Sequence, residues 1–155
     1  MSIILKNIEL LKNNPQDVEI RNKLLRASNL AGLAFSNTKT AAAHSMSYPL
    51  TISYGIPHGI ACSMPIIPLL RINEKAIKTQ LNTLFDKIGI ANLSELARLI
   101  LNIPKNIIGF TLKDWQVSKK HLDDITERSF TKSRMANNII NLNNDDILWV
   151  FKEIY

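Results

Sequence analysis

Two of the three histidines lie in one stretch of mostly apolar and small residues, and they are the side chains best suited to chemistry. His44 follows three alanines, and His58 stands 14 positions further on, between a proline and a glycine. Imidazole transfers protons and binds metals near neutral pH. Side chains on one helix face meet at three or four residues, so these rings can converge only through tertiary folding. Two hydrogen-bonded core histidines are the alternative.

Cys62 and the third histidine, His121, are the other residues whose side chains could bind a metal or transfer a proton. Because Cys62 is the only cysteine, it excludes an intrachain disulfide and a zinc cluster built from cysteines. We interpret it as a small buried hydrophobe. His121 falls in the run SKKHLDD, whose charges indicate a solvated helix face rather than a ligand site. Neither residue is a predicted site residue.

Length and composition predict one soluble domain over residues 1–155. The chain has 155 residues, of which 46 % are hydrophobic and 21 % charged, near the average for globular proteins. No apolar run reaches the roughly 18 residues that a membrane span needs. The first residues carry charges and lack a small-residue cleavage site, unlike a secretory signal. We therefore expect a cytoplasmic protein that does not enter a membrane.

The net charge of +6 does not indicate a nucleic-acid partner. Lysines and arginines are spread along the chain, and aromatic residues make up only 6 % of it. Nucleic-acid-binding proteins usually cluster basic residues on one face with interleaved aromatics. We expect no nucleic-acid binding.

Apolar residues recur at helical spacing, and no sustained period-two alternation occurs, so the predicted class is all-α. We predict one helix that carries His44 and ends near residue 52, and others over residues 2–12, 15–36, 58–72, 74–88, 94–102, 118–130 and 145–155. Pro65 and Pro68 should kink the helix that begins at His58. Asn73 is predicted to cap the helix after it.

The stretch that holds both histidines also resembles a known family. ASNLAGLAFSNT is followed by a histidine among small residues, then by Pro-Leu and Tyr-Gly-Ile-Pro-His-Gly, with Arg-Ile-Asn at the close. This order resembles the iron-containing (group III) alcohol dehydrogenases. The ending RMANNIINLNNDDILWVFKEIY resembles that family's asparagine-rich loop before a terminal helix. HSMSYPLT followed by YGIPHG is most similar to the phosphonate-associated branch, whose members reduce phosphonoacetaldehyde.

The resemblance implies an all-helical C-terminal domain in which His44 and His58 are two ligands of a catalytic divalent metal, usually Fe²⁺ and sometimes Zn²⁺. Neutral imidazole suits both metals, and such a metal acts as a Lewis acid. Many members carry a further histidine four residues after the first ligand. This chain has Tyr48 there, so a part for Tyr48 in proton relay or substrate binding is a further hypothesis.

The chain departs from the family in what it lacks. Full-length members bind NAD(P) through a glycine-rich turn of an N-terminal α/β domain, and an Asp and a His four residues apart supply the other two ligands. These 155 residues contain neither an Asp-x-x-x-His pair nor a glycine-rich phosphate turn. Two imidazoles fall short of the three protein ligands of a typical catalytic zinc site. We therefore expect this chain alone to bind metal weakly and not to oxidise an alcohol.

Two functions remain open. The first is the metal- and substrate-binding C-terminal domain of an alcohol dehydrogenase or aldehyde reductase. It would act on a small alcohol or aldehyde, with phosphonoacetaldehyde as a candidate, once a separately encoded N-terminal half is supplied. The second is a helical remnant that no longer catalyses and serves as an interaction or assembly module, or a nonfunctional gene fragment. The missing half would leave apolar surface on the first helices uncovered, so the second function predicts self-association.

Overall fold

The computed structural model describes residues 1–155 except for the side chain of Lys132. Helices make up 69 % of the chain and no strand occurs among the described residues, so the predicted all-α class is confirmed. The helices are α1 (Ser2–Asn13), α2 (Val18–Thr38), α3 (Ala42–Tyr54), α4 (His58–Ser63), α5 (Ile66–Asn73), α6 (Lys78–Ile88), α7 (Leu93–Asn102), α8 (Leu122–Arg128), α9 (Lys132–Met135) and α10 (Asn144–Glu153). None of these helices combines the length and apolarity needed to cross a membrane.

Packing divides the chain into two compact units. One unit contains residues 1–38 and 77–105, and the other contains residues 39–76 and 106–155. Both predicted site histidines belong to the second unit. The prediction of a single domain over residues 1–155 stays a prediction.

In the first unit, α1 packs against α2 and α6. The helix α2 buries only Ala27, while its large apolar side chains are exposed: Val18, Leu25, Leu30, Leu33 and Phe35. Val18, Leu25 and Leu33 recur at spacings of seven and eight residues, which places them on one side of a helix. We call these three residues the α2 apolar stripe. It leaves apolar surface on this unit in contact with water.

The second unit has a continuous apolar core beneath α3. This helix packs against α4, α8 and α9, and α10 packs against α8 and α5. The fully buried side chains come from several helices and from the turn after α3: Met46, Leu50, Ile56, Ala61, Ile125, Ile147, Val150 and Phe151. Asn143 and Asp146 begin α10 with a reciprocal capping box, which satisfies backbone N–H groups at its first turn. The core gives α3 a fixed position.

The start of α2 differs from the prediction. We placed it at Pro15, but the helix begins at Val18. The N–H of Asp17 donates to the carbonyl of Asn14, which closes a turn around the proline. The Asp17 carboxylate then accepts from the N–H of Ile20 at 3.0 Å, as the cap of a helix does. The cap that Asp17 provides thus places the first residue of α2 after the proline rather than at it.

The region predicted as one helix over residues 58–72 is two helices, α4 and α5, and the break falls just before Ile66. Pro65 has no N–H to donate, so the predicted kink is an interruption. The cap predicted for Asn73 is wrong, because Asn73 is the last residue of α5 and is buried. Its amide donates to the carbonyl of Leu69 at 2.8 Å and exchanges hydrogen bonds with the amide of Asn138.

The helix predicted over residues 118–130 is shorter than expected. Residues Lys119–His121 form a 3₁₀ turn before α8, and Ser118 makes no side-chain cap bond. The hydroxyl of Ser129 donates to the carbonyl of Ile125 at 2.7 Å just after α8 ends. A serine that bonds to nearby carbonyls offers the backbone an alternative to continuing the helix. The short α9 was not predicted.

Candidate metal centre

The helix α3 holds His44 in its first turn. Ala41 precedes the helix in an extended conformation, and the side chains of Met46 and Leu50 are fully buried in the core. The imidazole itself is only partly buried. His44 is therefore fixed by a buried helix while its ring remains within reach of solvent.

A short turn after α3 sets the position of His58. Gly55 ends α3 with φ 66°, and its N–H donates to the carbonyl of Thr51. Glycine adopts this left-handed conformation without steric cost. Ile56 is fully buried and anchors the turn, and Pro57 leads into α4. His58 is the first residue of α4, and it is exposed.

The turn brings the two imidazoles together. The ring centroids of His44 and His58 lie 5.5 Å apart, with an angle of 62° between the ring planes. The two residues come from different helices, so this proximity is produced by tertiary packing. Their role as metal ligands stays a prediction.

Cys62 is a third donor at the same place. Its Sγ lies 3.5 Å from Nε2 of His58, and the ligand atoms of Cys62, His44 and His58 all lie within 4.8 Å of one another. The expectation of a small buried hydrophobe is wrong, because Cys62 is only partly buried. The sequence carried a signal that we did not use: His58 and Cys62 are four residues apart, the spacing of neighbours on one helix face.

Ser47 orients the His58 ring. Its buried hydroxyl donates to the carbonyl of His44 at 2.8 Å and lies 3.3 Å from Nδ1 of His58. The direction of this hydrogen bond follows from the tautomer of the His58 ring, because a hydroxyl can both donate and accept. Nε2 is the ring nitrogen closer to Cys62.

Tyr48 and Arg134 lie against the same cluster. The ring of Tyr48 stacks on that of His58, with centroids 6.1 Å apart and an interplanar angle of 27°. The guanidinium carbon of Arg134 lies 4.8 Å from the centroid of the Tyr48 ring, within the range of a cation–π contact. Sequence reasoning missed Arg134, because nothing local links residue 134 to the histidines.

Burial and charge set the protonation of the two partly buried donors. Partial burial lowers the pKa of His44, and the nearby His58 and Arg134 lower it further. The imidazole of His44 is therefore neutral at pH 7, the form that binds metals. Burial also raises the pKa of the Cys62 thiol, and the Ser47 hydroxyl offsets part of that rise.

His121 is not part of the cluster. It is exposed, as its charged neighbours indicated, and its Nδ1 lies 3.0 Å from the hydroxyl of Tyr54. Among the residues described, the group of ligand atoms that lie within 4.8 Å of one another contains two imidazoles and one thiol. His121 therefore serves as a reference histidine outside the candidate site.

The donor set fits a divalent transition metal. Imidazole nitrogen binds iron and zinc, and thiolate sulfur binds zinc and other soft or borderline metals. The three ligand atoms are close enough for small side-chain rotations to bring them to one ion. Because this all-helical unit brings imidazole and thiol donors close together, the protein is a candidate metal-binding protein.

Comparison with known proteins gives the family. The sequence profile of the "Fe-containing alcohol dehydrogenase family, C-terminal" matches residues 1–155. The chain belongs to this family, and the resemblance noted in its sequence is confirmed.

The relatives are longer proteins. The NADPH-dependent butanol dehydrogenase of Clostridium saccharobutylicum is 29 % identical over 160 residues, which cover 96 % of this chain and 41 % of the relative. The phosphonoacetaldehyde reductase of Streptomyces viridochromogenes is 34 % identical over 67 residues, 43 % of this chain and 17 % of the relative. Sulfoacetaldehyde reductase from Bifidobacterium kashiwanohense, solved with NAD⁺, superposes with a TM-score of 0.87 at 27 % identity, over 99 % of this chain and 41 % of that one.

Proposed function

We propose that this chain is the metal- and substrate-binding part of an NAD(P)-dependent alcohol dehydrogenase or aldehyde reductase. His44 and His58 are two of the ligands of a divalent metal, Fe²⁺ first and Zn²⁺ second. The nucleotide binds to a domain outside these 155 residues. Family membership supports the reaction type, and the chain spans 41 % of the butanol dehydrogenase that it matches.

The observation that carries the proposal is the approach of two imidazoles from different helices. Their ring centroids lie 5.5 Å apart, and neither ring is sealed in the core. Two structural histidines would be expected to be buried and hydrogen-bonded separately. Two imidazole rings that lie together at a solvent-accessible position are well placed to bind one ligand in common.

Each residue of the cluster has a distinct role in the proposal. A bound divalent metal supplies a Lewis acid that polarises the substrate oxygen. Ser47 lies 3.3 Å from Nδ1 of His58 and holds that edge of the ring, which leaves Nε2 to bind the metal. Tyr48 packs on His58 and presents a phenol, which can donate a hydrogen bond to substrate or relay a proton.

Arg134 supports an anionic aldehyde as substrate, with phosphonoacetaldehyde as the candidate. Its guanidinium lies over the Tyr48 ring, and none of the ion pairs among the described side chains involves it. Guanidinium groups bind phosphonate-like anions through paired hydrogen bonds. Two relatives are named for aldehydes that carry a phosphonate or a sulfonate group.

Complementation tests the proposal. The chain is mixed with the N-terminal part of the butanol dehydrogenase, or fused behind it, and supplied with Fe²⁺, NADPH and an aldehyde. NADPH oxidation should require both parts and the metal, and should be lost in His58→Ala. His121→Ala, which changes an exposed histidine outside the cluster, is the matched control. A folded fusion that binds NADPH but never turns over would contradict the proposal.

The α2 apolar stripe favours a second candidate function, a noncatalytic interaction or assembly module. Val18 and Leu25 are each 69 % exposed and Leu33 is 58 % exposed. Apolar surface of this kind often marks an interface. This function requires no metal, so dependence of any binding or activity on His44 would favour the first candidate. A cytoplasmic location remains a prediction under both.

A further inference from the structure

Ser45 follows His44 in α3 and is fully buried, and the proposed function gives it no role. We propose that Ser45 is a positioning residue for substrate recognition: its hydroxyl holds the start of α9 against α3 and thereby places Arg134 at the candidate site. The inference rests on the proposed function only in assigning anion binding to Arg134. It explains how a guanidinium distant in sequence comes to lie beside the two histidines.

The Ser45 hydroxyl both donates and accepts, and both partners belong to the segment between α8 and α9. It donates to the carbonyl of Ser129 at 2.6 Å, and its oxygen accepts from the N–H of Thr131 at 3.2 Å. These directions follow from the partners, because a carbonyl only accepts and a backbone N–H only donates. The same N–H lies 3.0 Å from the carbonyl of Ser129, so the three groups form one closed network.

The network reaches Arg134 through the first turn of α9. The carbonyl of Thr131 accepts from the N–H groups of Arg134 and Met135 at 3.0 and 2.9 Å. Thr131 therefore connects the Ser45 hydroxyl on one side to the backbone of Arg134 on the other. With four residues, α9 is far shorter than the roughly 12 residues that an isolated helix needs. Its position must come from contacts with the rest of the unit.

The other end of α9 is held independently of Ser45. Met135 is buried and belongs to the apolar core, whereas its neighbour Arg134 extends to the Tyr48 ring. A helix fixed at both ends presents the side chains between them in one direction. Loss of the Ser45 contact would free only the start of α9, so we expect Arg134 to shift while the fold is kept.

NMR on the full chain tests this positioning without an activity assay. Protons over the face of an aromatic ring are shifted upfield, so the Arg134 side chain should show this shift in wild type. In Ser45→Ala the signals should move toward their random-coil positions. Ser129→Ala is the matched control, because Ser129 is equally buried but its hydroxyl bonds within its own segment to Ile125. Its Arg134 signals should stay as in wild type.

Ser45→Cys is a second variant that leaves no cavity. It fills nearly the same space with an atom that donates and accepts only weakly. Its Arg134 signals should lie between those of wild type and Ser45→Ala. Circular dichroism checks that each variant is folded.

A double-mutant cycle on the complemented enzyme tests the part in recognition. Ser45→Ala should raise the KM for phosphonoacetaldehyde about 3- to 10-fold, the factor typical of one neutral hydrogen bond. The KM for a neutral aldehyde of similar length should not change. In an Arg134→Gln background Ser45→Ala should have no further effect, because both changes act through the same guanidinium.

Two results would overturn the inference while leaving anion recognition intact. One is an Arg134 shift that is the same in Ser45→Ala as in wild type. The other is a KM increase that adds in full to that of Arg134→Gln, or that Ser129→Ala shares. If instead Arg134→Gln leaves the KM for phosphonoacetaldehyde unchanged, anion recognition by Arg134 fails, and the inference fails with it.

Discussion

At the scale of single residues, the candidate site depends on how its side chains are oriented by neighbours. Ser47 is buried and connects the two histidines, since its hydroxyl donates to the backbone carbonyl of His44 and lies 3.3 Å from Nδ1 of His58. Arg134 reaches the cluster through the face of Tyr48. The first contact holds the Nδ1 edge of the His58 ring, and the second places a positive charge beside the site.

We predict that Ser47→Ala weakens Zn²⁺ binding about 10- to 100-fold, the usual cost of removing a partner that orients a ligand. Isothermal titration calorimetry on the full chain measures the change. Ser63→Ala is the matched control, because Ser63 also donates to a backbone carbonyl in this region but bonds to Gly59 rather than to a ring. Equal Kd values for Ser47→Ala and wild type would show that the hydroxyl does not orient His58.

Arg134→Gln should raise the KM for phosphonoacetaldehyde and leave the KM for a neutral aldehyde of similar length unchanged. A hydrogen bond to a charged group contributes about 1.5–3 kcal/mol, so we expect an increase of about 10- to 100-fold. Steady-state kinetics on the complemented enzyme provide the measurement. Arg128→Gln, which changes an arginine paired with Asp124, is the control. A KM change shared by both aldehydes would contradict anion recognition.

At the scale of elements, a compact loop before α8 supports the unit that carries the site. The Asp114 carboxylate accepts from the N–H groups of Phe110 and Thr111 at 2.9 and 2.8 Å. A Cβ at position 109 would lie 2.5 Å from Cβ of Asp114, so only glycine permits this approach. The N–H of Leu112 donates to the carbonyl of Ile154. The loop thereby ties down the end of the chain after α10.

The carboxylate in this loop predicts a pH-dependent stability. Hydrogen bonds from the backbone and side chain of Thr111, and then from the N–H of Phe110, lower the pKa of Asp114. A lowered pKa in the folded state stabilises the fold above the unfolded value of about 3.9, and that stabilisation is lost as the pH falls through the folded pKa. Asp114→Asn should therefore be less stable than wild type at neutral pH, and the difference should shrink in acid.

Denaturant unfolding of both proteins between about pH 7 and about pH 3 measures this difference in the free energy of unfolding. Asp86→Asn, an exposed aspartate on α6, is the control for the loss of one negative charge. A stability difference for Asp114→Asn that stays constant over this range would show that the carboxylate charge is not its source.

At the scale of the whole molecule, the main feature is the α2 apolar stripe, whose large apolar side chains are exposed to solvent. The stripe lies on the first unit, and α2 buries a single alanine. A chain that spans 41 % of a relative's length can expose surface that another domain covers in the relative. The same surface can drive the association of two copies.

We predict that the chain self-associates through this stripe, with or without metal. Replacing Leu25 and Leu33 together by Gln should lower the average mass measured by light scattering toward that of a monomer, because it removes apolar area from the contact. Ile52→Gln, which changes a residue 76 % exposed in the second unit, is the control. A wild-type chain that stays monomeric at high concentration would contradict this prediction.

Most of the helices could be predicted from the sequence, because helical periodicity, caps and glycine or proline boundaries are local properties. Gly89, predicted to end α6, does so in the left-handed conformation. The family was also readable from the motif around the two histidines. Predictions failed where a distant partner decided the outcome. Asn73 pairs with Asn138 across 65 positions instead of capping the next helix.

The candidate site could be predicted only in part for the same reason. The residue types that can bind a metal are visible in the chain, and the turn before His58 is marked by Gly55 and a proline. The 5.5 Å approach of the imidazoles and the positions of Ser47 and Arg134 beside them depend on how α3, α4 and α9 pack. Spacing along a chain defines neighbours within one helix, whereas contacts between helices arise from burying their apolar faces together.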